Sequence, residues 1–111
     1  MARERIPVID ECTLDERELS DRVDEWRDLA ASVTSVVATG DGVRMTLPVD
    51  PALASRAAEL AALEQGCCGG VLRFGIDVGP SAVALTVWGS GASTLVEAMG
   101  LQVGSSATTS R

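Results

Sequence analysis

The chain has no histidine, lysine, tyrosine or asparagine, and its aromatic content is only 3%. Without histidine there is no Ser/His/Asp triad and no His-ligated metal, and without tyrosine there is no phenolic acid. All nine cations are arginines, set against 16 acids, for a formal charge of −7 over 111 residues. Such a surface repels a phosphate backbone, so nucleic acid is not an expected partner. No apolar run approaches the ~18 residues that span a bilayer, and no basic segment leads into an apolar one at the N-terminus. The expectation is a cytoplasmic protein with no membrane partner. Three cysteines are an odd number, and in a reducing compartment they are expected as free thiols rather than as a disulfide framework.

What remains is 46% hydrophobic residues, enough for one core. The expected organisation is a single domain over 1–103 and a flexible tail over 104–111. After an extended lead, Arg5 to Ile9, Thr13-Leu14-Asp15-Glu16 reads as a capping box. Leu19, Val23, Trp26 and Ala30 recur at helical spacing and predict a helix from about Leu14 to Ala31, with Arg22 and Glu18 paired on its solvated side. Asp10 to Asp28 holds nine of the 16 acids and three arginines. They do not follow the spacing of a calcium loop, so a solvated helix face is the expected reading.

Ser32 to Ala38 and Val43 to Val49 are β-rich and flank Gly40-Asp41-Gly42, which predicts a hairpin. Asp50-Pro51 supplies an N-cap and a first-turn proline. Leu53, Ala57, Leu60 and Leu63 then form an apolar stripe that should end at Gly66. Val71 to Val78 and Ala82 to Trp88 flank Gly79-Pro80-Ser81 as a second hairpin. Gly89-Ser90-Gly91 opens a short helix containing Leu95, Val96 and Met99, with Gly100 as its stop. That glycine turn could also cradle an anion on helix N–H groups, although such a turn is more often only a turn.

The predicted fold class is therefore α+β: one four-stranded antiparallel sheet with helices on one face, in the order α-β-β-α-β-β-α. Arg44, Thr46, Arg73, Asp77, Thr86 and Trp88 fall on the opposite face. A tryptophan there, together with unpaired sheet edges, leads us to expect a homodimer.

The densest local feature is Glu64-Gln65-Gly66-Cys67-Cys68-Gly69-Gly70. Cysteine is a good small core residue, so buried structural thiols are one reading. Cys12 supports another, because it precedes the capping Thr13 at the positive end of a helix dipole, which favours thiolate. Cys67 and Cys68 are expected just beyond a helix C-terminus, where the dipole opposes ionisation. If Cys12 approaches them, three sulfurs suit a thiophilic ion such as Hg(II), Cu(I) or As(III), whereas zinc would require a fourth ligand, either Glu64 or a group from a second subunit.

Cys12-Thr13-Leu14, Arg22 through Trp26, and Glu64-x-x-Cys67-Cys68 followed by a strand with Phe74 resemble a group of small bacterial proteins from high-GC genomes. These share a C-x-L, R-x-x-x-W and E-x-x-C-C pattern, and the likeness extends over Cys12 to Gly100. It implies which positions matter and no particular reaction. Members of the group tend to have an aromatic residue where this chain has Gly69-Gly70.

The leading expectation is thus a module that binds a soft metal or metalloid ion through Cys12, Cys67 and Cys68, with Glu64 beside them, for sequestration or sensing. One alternative is a thiol-disulfide protein in which Cys12 attacks and the pair resolves. Another is a dimeric interaction module with structural cysteines. No catalytic carboxylate pair can be picked out, so the balance leans away from an enzyme.

Overall fold

The computed structural model describes residues 16–68 and 70–104. Its elements are α1 (Glu16–Ala30), β1 (Ser35–Thr39), β2 (Gly42–Leu47), α2 (Pro51–Cys68), β3 (Arg73–Val78), β4 (Val83–Trp88) and α3 (Ala92–Ala98). The fold is α+β in the expected order. The extended lead Arg5 to Ile9, Cys12, the Thr13 capping box and the tail after Gly104 lie outside the described residues.

The four strands form one antiparallel sheet in the order β1-β2-β4-β3. Each hairpin pairs its own strands, and the hairpins join through β2 and β4. Met45 lies opposite both Val36 and Leu85, and Leu85 lies opposite Ile76, so apolar alternation is in phase across all four strands. On the central strands Met45, Leu47, Val83, Leu85 and Val87 are fully buried, while Phe74 and Ile76 on the edge strand β3 are half-buried. Trp26 and Leu29 of α1, Ala57 and Leu60 of α2, Leu95 and Val96 of α3, and Met99 at the C-cap of α3 complete the same core on that face.

Local signals account for most boundaries. The Ala52 N–H donates to Asp50 Oδ1 at 2.8 Å, so Asp50 caps α2 and Pro51 occupies its first position. Val33 donates to the Ala30 carbonyl at 3.0 Å, which makes it part of the exit from α1 and moves the start of β1 to Ser35. β2 ends at Leu47, before Pro48, which has no N–H for the ladder. Gly100 takes φ +79°, and the Gly100 and Leu101 N–H groups donate back to Glu97 and Val96, the bonding of a glycine helix stop.

α2 departs from the sequence expectation. It runs through Gly66 to Cys68, and Leu63, placed in the buried stripe by sequence, is 42% exposed. The buried stripe is Ala57, Leu60, Ala61 and Glu64, which is the i, i+3, i+4, i+7 pattern, and Leu63 is turned about 100° away from Glu64. A carboxylate therefore occupies the last buried position of an apolar stripe.

Candidate functional site

Glu64 is the one buried polar or charged residue among those described, at 5% exposure. A carboxylate there needs donors. Two come from α1: Arg22 Nη1 donates to Glu64 Oε2 at 2.8 Å, and Trp26 Nε1 donates to the same oxygen at 2.9 Å. Arg22 and Trp26 are four residues apart and so lie one above the other on one helix face. Trp26 is 1% exposed and stacks on Phe74 of β3, with ring centroids 5.9 Å apart and planes 12° from parallel. Arg22, expected on the solvated side, has a side chain only 15% exposed. The cluster thus ties α1, α2 and β3 together around one carboxylate.

Around it lies a more exposed set of ion pairs. Arg22 also approaches Glu25 at 3.7 Å, and Arg56 bridges Glu25 at 3.4 Å and Glu59 at 2.9 Å. The hydrogen bond that Arg56 donates to Glu59 raises the Arg56 pKa above its ordinary value. These contacts also give the helix directions. Three residues further along α1, from Arg22 to Glu25, the partner on α2 moves back from Glu64 to Arg56. α1 and α2 therefore run antiparallel, and the start of α1 lies beside the end of α2.

Cys67 and Cys68 occupy that end. They are the last two residues of α2, three and four positions after Glu64, rather than residues of a loop beyond it. Gln65 Nε2 donates to the Leu72 carbonyl at 2.8 Å, which pins the returning chain against the same helix turn. Cys12 lies outside the described residues, four positions before the first residue of α1. Among the described residues no group of three or more cysteine, aspartate or glutamate side chains is gathered to hold a metal.

Gly89-Ser90-Gly91 serves as a turn, the reading preferred over an anion cradle. Gly91 donates its N–H to the Val71 carbonyl at 3.0 Å. Gly89 sits at φ +108°, where a Cβ would collide with that same carbonyl. The turn closes α3 onto the strand entering the sheet.

Sequence reasoning missed the partnership of Arg22, Trp26 and Glu64. The signal was a carboxylate in phase with Ala57, Leu60 and Ala61, facing an indole and an arginine that share one face of another helix. No family model, curated protein or solved structure matches the chain. No helix among the described residues is long and apolar enough to cross a membrane.

Proposed function

We propose that this chain is a thiol protein that binds a soft metal or metalloid ion through Cys12, Cys67 and Cys68, to sequester or sense it. The observation that carries the reading is the antiparallel packing of α1 on α2 through Glu64. From Arg22 back to Glu16 is about 9 Å of helix, and from Glu64 on to Cys68 is about 6 Å in the same direction. Cys12 is tethered to Glu16 by a chain whose extended reach is about 14 Å, so its sulfur can meet the pair.

In this reading Arg22 and Trp26 hold Glu64, and Glu64 holds the turn that carries the thiols. Oε2 of Glu64 is engaged by both donors, so its first contribution to the site is to fix α2. The helix dipole at Cys67 and Cys68 opposes thiolate formation, and a bound cation offsets it by taking the charge. Thiol-disulfide exchange, in which Cys12 attacks and the pair resolves, is the weaker reading. Adjacent cysteines with helical backbone do not have the geometry of a vicinal disulfide, whose small ring is strained. The pattern behind the resemblance, C-x-L with R-x-x-x-W and E-x-x-C-C, then describes three ligands and the three residues that position them.

The test is titration of the reduced protein with Hg(II) against a competing thiol, with proton release followed in parallel. The parent should take up one ion per chain. Cys12→Ser should weaken binding at least tenfold with little change in Tm, and Cys67→Ser should lower both. Binding by all three single Cys→Ser variants at parental strength would refute the reading. So would cysteines that resist thiol reagents until the protein unfolds.

A further inference from the structure

The face of the sheet opposite the core has no described helix against it, and its residues fall into three rows across the strands. Gly42, Trp88 and Arg73 share one row; Arg44, Thr86 and Gly75 the next; Thr46, Ala84 and Asp77 the third. Trp88 lies flat on this surface. A Cβ at Gly75 would come within 3.0 Å of its ring, and the Arg73 guanidinium sits 4.8 Å from the ring centroid. Arg44, Arg73 and Asp77 are exposed, and none has a salt bridge among the described residues.

We propose that this face binds a second copy of the chain, sheet against sheet, about a two-fold axis running across the strands through the Thr86 row. That axis exchanges the outer rows. Arg73 of each copy then meets Asp77 of the other, and the large Trp88 meets the small Ala84. The pairing is self-complementary in charge and in size, as an isologous interface requires. A guanidinium stacked on an indole keeps its N–H fork free for a carboxylate, so the Arg73 contact with Trp88 persists in the dimer. A chain of charge −7 would otherwise repel its copy, and on this face two cations, Arg44 and Arg73, stand against one acid, Asp77.

Two features keep the dimer weak. Three strands of six residues and one of five give a footprint of roughly 400 Å² per copy, about half that of a standard interface. The axis also brings the two copies of Arg44 together. We expect a dissociation constant on the order of 100 µM.

The experiment is sedimentation velocity on the full chain from about 10 to about 500 µM, with charge-reversed variants. The parent should shift from monomer to dimer across that range. Arg73→Asp and Asp77→Arg should each abolish dimerisation alone, and an equimolar mixture of the two should form a heterodimer at least tenfold tighter than either homodimer. Arg44→Thr should tighten the dimer severalfold. A parent that stays monomeric throughout, as it would if another segment of the chain covered this face, overturns the proposal. So does a dimer indifferent to both reversals, which would place the contact at the β1 or β3 edge.

Discussion

Arg22 and Trp26, one turn apart on α1, both donate to the Oε2 atom of Glu64 on α2. An ion pair and an indole bond sharing one buried acceptor form a unit, because removing any member leaves another uncompensated. Glu64→Ala should therefore destabilise the fold by about 3 kcal/mol, since it leaves a poorly solvated guanidinium and an unpaired indole N–H. Arg22→Met should be of similar size. In urea unfolding, the double variant should lose clearly less than the sum of the singles. Additive losses would mean that the three groups act separately.

Trp26→Phe removes the indole bond together with part of the ring's packing. The smaller ring can still stack on Phe74 but offers no donor and leaves a gap in the core. Thermal or urea unfolding should report a loss of about 2 to 3 kcal/mol. A loss below about 0.5 kcal/mol would show that the Glu64 contact is dispensable.

Gly66 lies inside α2, and a Cβ there meets nothing within 4 Å. Gly66→Ala should stabilise the protein by about 0.5 to 1 kcal/mol through helix propensity and lower unfolded-state entropy. It should also leave thiol reactivity and metal binding unchanged. A destabilised variant would show that the helix is not continuous from Pro51 to Cys68.

Gly89 is the opposite case. At φ +108°, with the Val71 carbonyl against it, it cannot take a Cβ without moving backbone. Gly89→Ala should destabilise by about 2 kcal/mol or more, measured by the same unfolding transitions.

The strands were legible because period-two alternation runs through both hairpins and stays in phase across the sheet. Asp50-Pro51 and Gly100 marked their helix ends for equally local reasons. Gly66 misled because glycine ends a helix only when its backbone adopts positive φ, and sequence cannot show that it does not. The loss of the true stop hid the place of Cys67 and Cys68 in α2. Leu63 misled because a leucine was weighed by its hydrophobicity, while Glu64, one residue on, holds the better phase with Ala57 and Leu60. What made a buried carboxylate tolerable there was a pair of donors some forty residues away, a tertiary fact with no local trace.

The central claim, that Cys12, Cys67 and Cys68 form one trithiolate site, is tested most directly by intact-mass analysis of the folded, reduced protein with one equivalent of As(III). Each As–S bond replaces a thiol hydrogen and releases water from arsenous acid. The account predicts one adduct per chain whose mass gain is one arsenic atom less three hydrogens, lost on Cys12→Ser. An adduct that retains a hydroxyl on arsenic and consumes two thiols, or no adduct until the chain is unfolded, would contradict it.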